Sequence, residues 1–394
     1  MTFLILCINP LLGLIYAIHT CLKNKHVSRL KLIIVTTIVF FFLGTSIELT
    51  NINADLGQYF SWLPDYVDVR YDDLLREAIN EKNFFFLQQL MLAFFAKLHN
   101  NRLFSGFVVA VFYTCYMYIV TTYFKENSYQ ENSIIKKEVV TYFGLFIISF
   151  GWVLTNVRNP MANALVAVAI FRDLYLHKKN IITILIYGLA LSMHVAVLPI
   201  IICRIFTGIL FGKSLLHRFF NVVFGVLLVF VGLHSNIINM TSDKIGTYGL
   251  GSNGGGFSEY ARTSIYYQIN SLFLLWIMLF ALILITIAKR QKTIFEEQFR
   301  VFLTMATVLA ILSYFLPTPL IDRYGMLVEI FMPLIISSIN LSQMERTARI
   351  VIYLLIISTG VLGFVWQIAF LSFQINILNF LGKVFLGLWA LLLG

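Results

Sequence analysis

The chain has 394 residues, of which 59% are hydrophobic and only 12% charged, and it carries a formal net charge of +10. Its apolar residues come in long runs rather than at amphipathic spacing, which excludes an ordinary soluble core. Runs close to the ~20 residues that cross a ~30 Å hydrocarbon layer predict an all-α, polytopic membrane protein, because backbone groups in lipid must be satisfied inside the helix. The positive charge is laid out in loops. Lys23, Lys25, Arg29 and Lys31 follow the first apolar run with no acid among them, whereas 48–82 holds eight acids against three bases. If the basic loops 23–31, 172–180, 204–218, 289–300 and 345–349 face the cytoplasm, they sum to +12, and the loops 48–82, 156–159, 234–262 and 321–329 on the other face sum to −5. Basicity of this kind orients a chain in a membrane and does not call for nucleic acid.

In chain order, spanning helices are predicted at about 2–19, 32–47, 103–124, 139–155, 160–176, 181–193, 196–211, 219–233, 267–288, 301–316, 325–341 and 350–367, with a further apolar piece at 376–393. That is a single integral membrane domain over 1–394 with about 12 or 13 transmembrane helices. The first run lacks a basic leader and precedes a basic patch, so it reads as a retained helix that starts outside. Segment 84–98 is short and holds Gln88, Gln89 and Lys97; loop charge places it in the outer interface, because a crossing there would turn every later basic loop outward. The run 181–211 is too long for one crossing and short for two, and His194 and Pro199 interrupt it, which predicts a tight outer hairpin or a broken helix. Three outer features remain: the acidic and aromatic loop 48–102 with its interfacial helix, the glycine-rich loop 234–265, and the turn at 317–325. Cys7, Cys21, Cys115 and Cys203 form no C-x-x-C pair, so neither a disulfide framework nor a metal is expected. No cofactor fingerprint occurs either; the run 249–256 lacks the Gly-Lys-Ser/Thr ending of a phosphate loop.

The residues that break the charge pattern are the candidates for chemistry. Arg158 stands just before a helix on the outer face, where positive charge is disfavoured; it reads either as an anion site at a helix N-terminus or as a snorkelling interfacial arginine. Arg323, after Asp322 and before Tyr324, opens another helix on that face, and the bland reading is an Asp322–Arg323 surface pair. Arg262 is a third outer arginine. His194 is the one histidine inside an apolar run: a packed structural histidine, a general base, or a hydrogen-bond donor to an anion. The loop with Asp55, Asp65, Asp68, Arg70, Asp72, Asp73 and Glu77 also carries Tyr59, Trp62, Tyr66 and Tyr71. Carboxylates accept sugar hydroxyls and aromatic rings stack on apolar sugar faces, though an interfacial aromatic belt has the same composition.

The stretch 156–194, with Asn156-x-Arg158, an apolar helix, the turn Arg172-Asp173-Leu174-Tyr175-Leu176-His177-Lys178-Lys179 and a second run ending in Met193-His194, resembles the EpsG-like family of polysaccharide polymerases, which includes Wzy-type O-antigen polymerases. Asp55-Leu56-Gly57-Gln58-Tyr59 resembles that family's aspartate-x-x-x-tyrosine feature, and Asp322-Arg323-Tyr324 its late arginine-tyrosine turn; Asn159-Pro160 departs from its pattern. The resemblance covers roughly residues 40–340. It implies a GT-C-like helical architecture with the site on periplasmic loops, and a glycosyltransferase of the bacterial inner membrane without metal or cofactor. Such an enzyme moves a glycan from undecaprenyl diphosphate onto a second lipid-linked repeat unit. Its partners would be lipid-linked oligosaccharides as donor and acceptor, the bilayer, and a chain-length regulator protein. Under that reading Arg158, Arg323 and Arg262 bind diphosphate, His194 or Asp55 supplies the base, and Tyr59, Tyr324, Asp322, Arg70 and Asp72 bind substrate. A flippase of lipid-linked oligosaccharide and a lipid-linked glycan ligase are the alternatives. A transporter would bury charges at the bilayer midplane on several helices, whereas these candidates gather on one face.

Overall fold

The structure, a computed structural model, describes residues 2–23, 28–49, 55–81, 84, 86–127, 135–212, 215, 218, 219, 221–226, 264–291, 296–316 and 320–386. These residues are helical, with no strand among them. In chain order the helices are α1 (Thr2–Ile8), α2 (Pro10–Leu22), α3 (Arg29–Thr45), α4 (Asp55–Trp62), α5 (Tyr71–Asn80), α6 (Phe86–Ala96), α7 (Asn101–Glu126), α8 (Lys137–Ile147) and α9 (Phe150–Thr155). There follow α10 (Arg158–Ile170), α11 (Ile181–Met193), α12 (Leu198–Leu210), α13 (Ile265–Arg290), α14 (Glu297–Tyr314), α15 (Ile321–Ser337), α16 (Arg346–Gln374) and α17 (Ile377–Leu386). The chain divides into two compact units, one of Met1–Val69, Met91–Ala164 and Ile330–Gly394, the other of Arg70–Leu90 and Leu165–Glu329. Helices α7 and α13 and the stretch Arg346–Ser372 of α16 are long and apolar enough to cross a membrane.

In the first unit the single helix expected at 2–19 is a helix pair. Asn9 is extended and accepts the Leu12 amide, and Pro10, which has no amide to leave unsatisfied, opens α2. Helix α1 packs against α2 so closely that a Cβ at Gly13 would lie 2.7 Å from Leu6 Cα. Hydropathy cannot separate the two pieces, since both are apolar. The most extensive packing joins α3 and α7, where a Cβ at Gly44 would lie 2.7 Å from Gly106 Cα and Thr37 shares a 2.6 Å hydrogen bond with Thr114. Small residues let apolar helices approach until backbone meets backbone, and a buried hydroxyl pair adds direction.

The expected helix 139–155 breaks at Ile148 and Ser149 into α8 and α9. Gln367 on α16 holds the break: its amide donates to the carbonyls of Leu145 and Phe146, each at 2.8 Å, and its oxygen accepts the Phe150 amide at 3.3 Å. Those three groups would otherwise be orphans among apolar side chains.

In the second unit the run 181–211 breaks where His194 ends α11 with extended backbone and a short 3-10 turn, Val195–Val197, leads into α12. The chain reverses there, because Tyr187 of α11 and Arg204 of α12 converge on one carboxylate oxygen of Asp173. Asp173 itself sits in a π turn, Phe171–Tyr175, that ends α10. Arg204 was expected in the basic loop 204–218. It lies within the helix expected at 196–211, which runs over Leu198–Leu210, and it is buried and paired with Asp173 and Asn221 rather than part of a loop. Residues 219–233 were expected to span; 221–226 are helical and 227–233 lie outside the described residues, as do 317–319 of the outer turn and 234–263 of the glycine-rich loop.

Candidate functional site

The first unit brings Asp55, Tyr59 and Arg158 into one neighbourhood. Asp55 and Tyr59 are four residues apart on α4 and therefore share a face. Helix α4 packs on α9, and α9 leads through Asn156 and Val157 to Arg158 at the start of α10. The guanidinium carbon of Arg158 lies 6.0 Å from the Tyr59 ring centroid. At that distance the cation meets the edge of the ring's attractive range. Asp55 and Arg158 are half-buried, whereas Tyr59 is 1% exposed. Burial pushes the Tyr59 phenol above its ordinary value, with Arg158 pulling the other way. Its hydroxyl has no hydrogen-bond partner among the described residues. The ring packs edge-on against Trp62 at 5.3 Å and tilted against Phe104 of α7 at 5.6 Å. Tyr59 is thus a buried group beside a cation, and Trp62, 39% exposed, is the ring of this helix open to a ligand.

This arrangement has the parts of an anion site. A guanidinium supplies up to five N–H donors in a planar fork and α10 adds the partial positive charge of its N-terminus, while the Asp55 carboxylate on α4 opposes an anion and instead suits a proton or a hydroxyl.

In the second unit Asp322 and Arg323 open α15. The surface-pair reading of Asp322 is wrong: the carboxylate is 3% exposed and accepts the hydroxyl of Tyr267, on α13, at 3.0 Å. The helix starts at Ile321, four residues earlier than expected, and so draws Asp322 into the packed bundle. Arg323 and Tyr324 are half-buried in the same first turn. The Nδ1 of His194 accepts the amide of Ala196 at 2.9 Å, which caps the turn after α11. An imidazole whose Nδ1 accepts carries its proton on Nε2 when neutral, so His194 presents a donor nitrogen rather than a basic one. Arg70 and Asp72 form an exposed pair at 3.6 Å ahead of and within α5. Arg262 lies outside the described residues.

Two charged features went unread in the sequence. One is the Asp173–Arg204 pair with Tyr187 and Asn221; a Cβ at Gly208 would collide with both Asn221 and Arg204, so a glycine there makes the room. The other is Glu329, counted with the outer loop 321–329 but buried at 3% exposure in the third turn of α15. Its signal was present, since Leu327, Val328, Ile330 and Phe331 flank it on both sides. Among the described residues no three His, Cys, Asp or Glu side chains gather closely enough to hold a metal. Comparison with family models, with curated proteins and with solved structures finds nothing that matches this chain.

Proposed function

We propose that this chain is a polytopic glycosyltransferase of a bacterial inner membrane that extends a polysaccharide, transferring a glycan from undecaprenyl diphosphate to a second lipid-linked repeat unit at the periplasmic face. The observation that carries the reading is Arg158 at the N-terminus of α10 beside Asp55 and Tyr59 of α4. Breaking a glycosidic bond to a diphosphate leaves negative charge on the departing oxygen. A preorganised guanidinium and helix terminus stabilise that charge without waiting for solvent to reorganise. Arg323 likewise opens a helix, α15, in the other unit. The attacking sugar hydroxyl loses a proton as the new bond forms, and Asp55 takes it, since the Nδ1 of His194 is engaged with Ala196.

The resemblance of 156–194, of Asp55 to Tyr59 and of Asp322 to Tyr324 to EpsG-like and Wzy-type polymerases supports the same class. The test is to replace Arg158 with Ala and with Lys in the native strain and compare the lengths of surface glycans. The expected result is loss of long chains with accumulation of single-repeat products, Lys restoring a fraction because a point charge replaces a fork. Normal length distributions from a normally expressed Arg158→Ala protein would overturn the proposal, and loss of all surface repeats would assign a flippase instead.

A further inference from the structure

The segment that leads into α4 is tied down by a part of the chain more than three hundred residues away. The backbone of Leu49 pairs with Ile375 as an antiparallel bridge, and the Glu48 carbonyl accepts the Asn376 amide at 3.4 Å. The Glu48 carboxylate accepts from Lys383 Nζ at 2.6 Å and from Asn379 Nδ2 at 3.2 Å, both on α17, and stands 3.8 Å from the guanidinium of Arg102 in the first turn of α7. Two residues beyond Arg102 is Phe104, fully buried, on whose ring Tyr59 packs. At the same end of the unit, Asn9 donates to the Val384 carbonyl at 3.2 Å, which fixes α17 from its other side.

We propose that α17 is a positioning element for the candidate site: through Lys383 and Asn379 it clamps Glu48, and through Glu48 and Arg102 it holds the turn of α7 against which Tyr59 is seated. The proposal rests on the functional reading above only in calling that neighbourhood a substrate site. The clamp joins Glu48 to two cations, Lys383 and Arg102, and to the neutral Asn379, and it is exposed enough to respond to the medium. The hydrogen bond from Lys383 holds the Glu48 carboxyl below its ordinary value, with Asn379 and the nearby charges adding to it and slight burial opposing. A carboxylate with a depressed folded value contributes its stabilisation above the unfolded value and loses it as pH falls through the folded one. Acid therefore opens the clamp, and salt weakens it by screening.

The test uses the full-length protein in lipid nanodiscs and follows amide hydrogen exchange in peptides covering 55–62. Lys383→Glu should speed exchange by about two- to fivefold, the factor that one exposed ion pair commands, and Glu48→Lys, which also turns a cation toward Arg102, should speed it by at least as much. In the wild type, the protection of 55–62, taken as the intrinsic amide rate over the observed rate at the same pH, should fall on acidification, and in Glu48→Gln it should be flat with pH. Should Lys383→Glu fail to fold, Lys383→Met removes the cation without adding a repulsion and carries the same expectation. Unchanged exchange in the folded single variants would overturn the positioning role. Exchange reads the clamp without any glycan. A clamp that behaves as expected beside Arg158 variants with normal chain length would leave the inference standing and sink the polymerase reading alone.

Discussion

The His194 ring accepts the Ala196 amide through Nδ1 at 2.9 Å, so one residue ends α11 with its extended backbone and caps the turn before the return helix with its side chain. The cap uses Nδ1, so a substrate role through Nε2 can be tested apart from it. Asparagine keeps a short acceptor at the capping position and loses the Nε2 donor.

His194→Asn should therefore hold the thermal stability of the wild type, while His194→Ala should lose about 1 kcal/mol with the cap. If Nε2 donates to substrate, both variants should lose chain extension by a factor of about 10² or more, the usual effect of removing one preorganised donor. Thermal unfolding in detergent alongside glycan length in the native strain separates the two roles. Full activity in His194→Asn would reduce the residue to its cap.

The Asp173–Arg204 pair makes the second prediction. Both side chains are nearly inaccessible, Tyr187 also donates to Asp173, and Asn221 accepts from Arg204. Removing one partner strands a buried charge, so Arg204→Ala should cost about 3–5 kcal/mol. Replacing both with apolar residues of similar volume, as in Arg204→Met with Asp173→Leu, should recover most of that loss. A thermal melt of the three proteins decides it. A double variant no better than Arg204→Ala would mean that the cluster's hydrogen bonds outweigh its charges.

Tyr267 and Asp322 give a third. The phenol donates to a carboxylate buried at the start of α15, beside the backbone amides of that first turn. Tyr267→Phe removes only the hydroxyl and should cost about 1–3 kcal/mol, because the carboxylate keeps its burial and loses a donor. The same change at Tyr314, half-buried at the end of α14, is the control and should be nearly silent.

What the sequence made legible follows from where each signal is stored. The limits of 181–193 coincide with α11, because Asn180 caps its start and His194 stops it within the same stretch of chain. The break between α8 and α9 was invisible, because its cause is Gln367, more than two hundred residues away. Arg158, Asp55 and Tyr59 each stood out by chemistry, but only folding could bring a residue near 158 beside two near 55. Tyr59 stands in the sequence as a platform for a sugar ring, yet it is buried, and Trp62 on the same helix is exposed. Arg204 shows the limit of counting charges: a buried, paired arginine adds nothing to the basic face of a membrane protein, yet it counts fully in a loop sum.

Gln367 supplies the last test because it satisfies three backbone groups at once. Leu145 and Phe146 end α8 with carbonyls that have no intrahelical partner, Phe150 opens α9 with an amide in the same condition, and the flanking side chains offer no water. Truncation to alanine leaves all three groups wanting, and each stranded group costs about 1–3 kcal/mol. Gln367→Ala should therefore melt well below the wild type, with faster hydrogen exchange over 145–150. Gln367→Glu should do nearly as badly despite its matching shape, since a carboxylate accepts from Phe150 but cannot donate to the two carbonyls. Ser358→Ala, an exposed change on the same helix, should stay within about 0.5 kcal/mol of the wild type. Equal stability of Gln367→Ala and Ser358→Ala would mean that the junction relaxes without its clamp, and that the break is written in Ile148 and Ser149 themselves.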